Sequence, residues 1–223
     1  MIELRDLLKV YHVGSERKVV ARNINAVFPS GRSIALLGRN GAGKSTLLRM
    51  IAGTEDPTMG EVYSTGSISW PVGFAGSFHP ELSGAQNVRF VARIYGVDTD
   101  QLVDYVRDFA ELGPHFTQPF RTYSAGMRSR LAFGTSMGIK FDTYLVDEVT
   151  SVGDAAFRTK SREVLNARLQ SSGAIVVTHS MPLLRDICDS AVILENGDLE
   201  FIEDINEAIS RHEANMLKSA VSG

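Results

Sequence analysis

The stretch GRNGAGKST, Gly38 to Thr46, fits the spacing G-x-x-x-x-G-K-[ST]. Residues of these types at this spacing bind phosphate. Gly38, Gly41 and Gly43, with Asn40 and Ala42 between them, let backbone N–H groups turn inward around phosphate oxygens. Lys44 brings a point charge to β- and γ-phosphates, and Ser45 offers a hydroxyl to Mg²⁺. Ser45 and Thr46 open a helix whose N-terminus faces the anion. Two apolar runs further along end in polar groups. YLVDEV carries Asp147 and Glu148, and VVTHS carries His179. Alone, an acid pair after a strand reads as an exposed turn, and a lone histidine reads as structural. Behind a phosphate loop, Asp147 is suited to hold Mg²⁺ through water, and Glu148 to deprotonate an attacking water. His179 then lies in reach of a γ-phosphate. A fourth segment, TYSAGM, sets Ser124 where it caps a helix. With the N–H groups of Ala125 and Gly126, that cap makes an anion site. Ala125 adds a methyl group, and its N–H still serves if its φ is negative.

These groups need a scaffold that brings them to one edge. MIELRDLLKVYHV and VVARNINAVFP alternate apolar and polar residues, as half-buried strands do. SIALLG, TYLVDEV and AIVVTH are apolar runs of the kind that fills buried strands. Helices are expected from about Lys44 to Ala52, Gln86 to Tyr95, Thr99 to Leu112, after Gly126, from Ala155 to Gln170 and from Pro182 to Cys188. Short strands are expected near Glu61–Tyr63 and Ser67–Trp70, and AVILENGDLEFI reads as a hairpin turning at Asn196-Gly197. Strands alternating with helices argue an α/β parallel sheet, with a helical insert between its halves. In such sheets ligands sit at the carboxyl ends of the strands, where Gly38, Asp147 and His179 fall.

Composition narrows the function classes. A formal net charge of −3 gives no electrostatic case for a nucleic-acid partner. The single cysteine, Cys188, excludes an internal disulfide and a thiol metal cluster. The longest uncharged stretch, Val62 to Pro80, is broken by glycines and Pro71 and cannot span a membrane as a helix.

Phosphate loop, S-x-G segment, strand-final Asp-Glu and strand-final His follow one another in an order that resembles the nucleotide-binding subunit of an ABC transporter. The resemblance covers nearly the whole chain. It implies one α/β P-loop ATPase domain over residues 1–223. That domain would have a RecA-like parallel sheet core, an N-terminal antiparallel β subdomain and a helical subdomain inserted at about 78–138. It implies ATP and Mg²⁺ as ligands, with Lys44, Glu148 and His179 catalytic and Tyr11 stacked on adenine. As a strand residue Tyr11 can equally be packing. SVGD, Ser151 to Asp154, resembles the loop that crosses between subunits in this family. Two copies would pack head-to-tail, each ATP lying between Lys44 of one and Ser124 and Gly126 of the other.

The chain departs from the family pattern in two places. The usual Leu-Ser-Gly-Gly-Gln signature here reads Tyr123-Ser124-Ala125-Gly126-Met127. The usual glutamine ahead of the insert is missing: Phe74 stands near its place, and Gln86 falls on the surface of the insert's first helix. PVGFAGSFHPELSGAQNVRF is similar to the same region in ATPases that export bacterial surface polysaccharides. Members exporting O-antigen append a carbohydrate-binding domain, for which a chain ending at Gly223 has no room. The resemblance therefore implies a capsular polysaccharide exporter acting peripherally at the cytoplasmic face of the bacterial inner membrane. A permease would dock near Phe74–Leu82, through exposed Phe74, Phe78 and His79, and lead to periplasmic and outer-membrane export machinery. Export of O-antigen or teichoic acid, or a soluble ABC ATPase, are the alternatives.

Overall fold

The alternating N-terminal segments pair as an antiparallel sheet in the order β2-β1-β4, from β1 (Ile2–Val13), β2 (Glu16–Phe28) and β4 (Met59–Ser64). Strict alternation would bury positions 2, 4 and 6. A register shift between Leu4 and Leu7, around Asp6 at φ 49°, makes Leu7 the third buried residue instead. The structure, a computed structural model, describes residues 1–14, 16–147 and 154–221. They fall into two units. The first comprises Met1–Pro71, Phe141–Glu148 and Leu169–Gly223, and the second Val72–Lys140 and Val149–Arg168.

The first unit also holds a six-stranded sheet in the order β5-β6-β7-β3-β8-β9. Its strands are β3 (Ser33–Leu37), β5 (Ile68–Pro71), β6 (Thr143–Asp147), β7 (Gly173–Val177), β8 (Ser190–Glu195) and β9 (Asp198–Ile202). Neighbours are parallel from β5 to β8, and only β9 runs antiparallel. Every residue of β3 and β7 is buried, which is why their sequences run apolar without alternation. Asn196 and Gly197, both at positive φ, turn β8 into β9, the backbone a two-residue hairpin with right-handed twist requires. Helices α1 (Lys44–Ile51), α6 (Met181–Ile187) and α7 (Ile205–Val221) complete the unit. Leu47, Leu48 and Ile51 of α1 enter the core shared by the two sheets.

The second unit is helical: α2 (Gly84–Tyr95), α3 (Thr99–Ala110), α4 (Ala125–Gly138) and α5 (Ala155–Leu169), with short 3-10 turns at Gly113–Thr117 and Phe120–Thr122. Phe109 of α3 stacks on Phe133 of α4 at 5.7 Å and meets Phe157 of α5 edge-on at 5.4 Å. A Cβ on Gly138 would lie 2.3 Å from Leu102 Cδ1, so glycine there lets α3 and α4 approach closely. Helix α2 starts two residues earlier than its apolar pattern suggests. Ser83 and Gln86 form a reciprocal capping box, with N···O distances of 3.1 and 2.8 Å. Gln86 is exposed, as expected, and its work is to hold that cap. Helix α4 likewise begins at Ala125 rather than after Gly126.

Candidate functional site

Parallel pairing brings the carboxyl ends of β3, β6 and β7 to one edge of the sheet. Asp147 ends β6 in register with Val177 of β7, and β7 lies beside β3, which leads into the glycine-rich loop and α1. A cavity of about 490 Å³ opens there. Lys44, Ser45 and Thr46 line it together with Asn40, Gly41 and Gly43. Tyr11, Asp147 and His179 line it as well. Gly38 and Ala42 do not. Gly38 packs against the Leu194 carbonyl, and Ala42 lines a neighbouring cavity.

Two glycines of the loop are required by their own chain. Gly43 has φ 107°, and a Cβ there would fall 2.1 Å from Val20 Cγ1. Gly38, at φ 152°, would press a Cβ to 2.4 Å from the Leu194 carbonyl oxygen. Gly43 is also the N-cap of α1 and offers no side-chain cap to its first turn. An anion is suited to that role. The Lys44 ammonium donates to the carbonyls of Gly38 at 2.6 Å and Arg39 at 3.0 Å, so it is folded into the loop it would share with phosphate. Burial first, and then the charge of Lys44, lower the pKa of His212 on α7, which favours a neutral imidazole there.

Tyr11 is half-buried, its ring 5.0 Å from Lys9 Nζ, and its hydroxyl donates to Glu55. Lys18 is a cavity-lining residue that sequence reasoning missed; Glu55, which holds the Tyr11 hydroxyl, does not line the cavity. Lys18 lies opposite Tyr11 across β1 and β2, and its side chain lines the cavity. The hairpin register carries that signal, and no local motif does.

In the second unit, Ser124, Ala125 and Gly126 are exposed at the start of α4. Ser124 Oγ accepts from Met127 N at 3.2 Å, and Ala125 is helical, so the condition on its φ is met. Tyr123 is buried, with its hydroxyl donating to the His115 carbonyl at 2.7 Å. Asp154 accepts from Phe157 N at 2.9 Å to cap α5 and pairs with Arg130 at 2.6 Å. Phe74 is 54% exposed and His79 is exposed. Phe78, expected on the surface, is buried edge-on against Phe120 at 5.3 Å. The loop it belongs to is fastened by Asn87, which is 1% exposed, accepts from His79 N, and donates to the carbonyls of His79, Leu82 and Ser83. That clamp draws Phe78 inward. Glu148 and Ser151–Gly153 lie outside the described residues.

A glycine-rich loop between a buried parallel strand and a helix, with Asp147 and His179 at the ends of adjacent strands, defines a P-loop nucleotide-binding domain. Residues 21–151 match the family described as ABC transporter, and the chain belongs to that family. It is 46% identical to the polysialic acid transport ATP-binding protein KpsT of Escherichia coli, covering 97% of this chain and 100% of KpsT. It is 42% identical to the capsule polysaccharide export ATP-binding protein CtrD of Neisseria meningitidis serogroup B, covering 93% of this chain and 96% of CtrD. In fold it is similar to the ATP-binding cassette MJ0796, solved as a dimer in a post-hydrolysis state bound to ADP and Pi. There the TM-score is 0.77 at 23% identity, over 92% of this chain and 99% of that one.

Proposed function

We propose that this chain is the ATP-hydrolysing motor subunit of a transporter that exports capsular polysaccharide across the bacterial inner membrane. The observation that carries the reading is the convergence of Lys44, Ser45, Asp147 and His179 on one cavity, in a chain closely related to KpsT and CtrD. ATP phosphates take over the Lys44 ammonium from its loop carbonyls and complete the open first turn of α1. The Ser45 hydroxyl and Asp147 carboxylate are hard oxygen donors lining one cavity, a set that fits Mg²⁺ held mainly by substrate phosphates. When bound, that ion neutralises charge on the β- and γ-oxygens. Lys44 and His179 meet charge on the transferred phosphoryl group, and Glu148 takes the proton of the attacking water.

The second half of the site comes from another copy of the chain. Gly126 supports this. Its φ is helical, and a Cβ there would meet only Ser124 Oγ, at 4.0 Å. Its own chain gives no reason for glycine, whereas close approach of a partner-bound phosphate does. ATP then holds the two copies together, and hydrolysis releases them. The exposed surface near Phe74–Leu82 is suited to a permease, and among the described residues no helix is long and apolar enough to cross a membrane. As a relative of transport ATP-binding subunits, the chain works from the cytoplasmic face of the inner membrane, with periplasmic and outer-membrane machinery reached through the permease.

Removing the chain from a capsulated cell should leave polysaccharide inside, and the Lys44→Ala variant should not restore export. Normal surface capsule without the chain would overturn the substrate assignment. In vitro, Glu148→Gln should slow ATP turnover while ATP still dimerises the protein. Turnover at the wild-type rate would overturn the catalytic assignment and leave the transport assignment standing.

A further inference from the structure

A charged cluster lies beside the cavity, outside the phosphate loop. Glu55 follows α1 in a turn, with its side chain 18% exposed. Its Oε1 accepts from the Tyr11 hydroxyl and pairs with Lys9 Nζ at 2.8 Å. Its Oε2 pairs with Arg49 Nε at 2.9 Å. Arg49 continues to Thr46 Oγ1 at 3.2 Å, and the Tyr11 hydroxyl lies 3.5 Å from the same oxygen. Burial pushes the Glu55 carboxyl up, but hydrogen bonds from Lys9, Tyr11 and Arg49 outweigh burial and hold it at about 2. It is therefore an anion throughout the neutral range.

One carboxylate thus fixes the Tyr11 ring in two ways. It holds the ring's edge through the hydroxyl, and it holds the Lys9 ammonium 5.0 Å from the ring centroid. Tyr11 lines the cavity and Lys9 does not. A planar base entering the cavity meets a ring whose tilt is already set. We propose that Glu55 is the positioning residue for the base end of the nucleotide. It locks Tyr11 and Lys9 into one stacking platform and ties that platform through Arg49 to Thr46 of the phosphate loop. This rests on the reading of Tyr11 as the adenine-stacking ring.

The test compares binding of ATP with binding of inorganic tripolyphosphate, which has no base, to the purified full-length chain. Glu55→Ala should weaken ATP about tenfold and tripolyphosphate by less than about twofold. Glu55→Gln keeps an acceptor for the Tyr11 hydroxyl and should lose less, about threefold. In a Tyr11→Ala background, Glu55→Ala should add less than about twofold, because the ring it positions is gone. If Tyr11→Ala weakens ATP and Glu55→Ala does not, the positioning role is overturned and the stacking reading stands. If Tyr11→Ala leaves ATP binding unchanged, the stacking reading itself falls. Equal losses for ATP and tripolyphosphate in Glu55→Ala would mean that the phosphate loop has been disturbed, and would overturn the proposal.

Discussion

Gly126→Ala should make the free chain more stable and the ATP-bound dimer weaker. Gly126 is the second residue of α4, at helical φ, and an added methyl would meet only Ser124 Oγ at 4.0 Å. Alanine is better than glycine in a helix interior by about 1 kcal/mol, and in a first turn the gain is ~0.5 kcal/mol. Against a partner-bound nucleotide the sign reverses. A phosphate oxygen has to come within about 2.9 Å of a backbone N–H, and a methyl beside that N–H holds it off. Losing one hydrogen bond to a charged group costs about 1.5–3 kcal/mol, and a symmetric dimer loses it at both sites, so the dimer should weaken by ~3–6 kcal/mol. That is on the order of a hundredfold or more in dissociation constant. Urea unfolding without nucleotide reads the first effect. Light scattering with ATP, in a Glu148→Gln background that slows hydrolysis, reads the second. Dimerisation at the parent's concentration would show that Gly126 approaches no phosphate. A fall in stability would show that the space above α4 is not open.

Asn87→Ala removes an amide, 1% exposed, that accepts one hydrogen bond and shares its two N–H groups among three carbonyls, and should cost ~3 kcal/mol, read as a lower urea midpoint for the helical unit. A change below ~1 kcal/mol would mean water replaces the amide. Gly43→Ala forces an L-residue to φ 107° with its Cβ 2.1 Å from Val20 Cγ1, and should abolish nucleotide binding while circular dichroism keeps the native strand and helix content. Wild-type ATP affinity would mean that the loop can rebuild. Burial, then Asp189, pushes the Cys188 thiol from 9.0 up to about 12, so the native state binds this proton more tightly. Its contribution is complete below pH 9.0 and is lost as pH rises towards about 12, at ~1.4 kcal/mol per pH unit. Cys188→Ala should lack that slope between about pH 9 and about pH 11, and identical slopes in urea midpoint would refute it.

The sheet was legible because each of its strands carries its own pattern. IALL of β3 and GAIVV of β7 run apolar because both faces are covered, and the N-terminal strands alternate because one face is not. The Asn196-Gly197 turn follows from backbone chemistry alone. Helices α1, α3 and α5 start at Lys44, Thr99 and Ala155 as expected, whereas α2, α4 and α6 start one or two residues early, since apolar periodicity begins only where a helix meets the core. The capping box of Ser83 and Gln86 sets the start of α2 ahead of that point, and its S-x-x-Q spacing was available in the sequence. Phe78 was misread for a different reason. An aromatic ring in a Gly- and Ser-rich loop looks exposed until a side chain distant in sequence closes the loop, and Asn87 does so from within α2.

The same distinction divides the site. Lys44, Ser45 and the loop glycines are legible because phosphate binding is done by consecutive backbone and a helix start, so its requirements fall in one short stretch. Asp147 and His179 are legible only through a second step, that parallel strands bring their carboxyl ends to one edge. Recognition of a base has no such local form. It needs a plane held at a fixed tilt, and a ring on a strand is held by whatever reaches it. Here Lys9 and Tyr11 come from β1, while Glu55 and Arg49 come from the end of α1 and the turn after it. No spacing rule links those positions. What links them is the packing of α1 into the core shared by the two sheets, which sets Glu55 against β1. The phosphate loop and α1 are one continuous segment, so the helix that carries Lys44 into the cavity also delivers Glu55 to Tyr11. On the proposed reading of Tyr11 as the adenine-stacking ring, the distance between the triphosphate and base ends of the site is then fixed by the length of one short helix. Inserting a single residue between Ile51 and Glu55 should therefore weaken ATP far more than tripolyphosphate, and equal effects on both would show that the two ends are positioned independently.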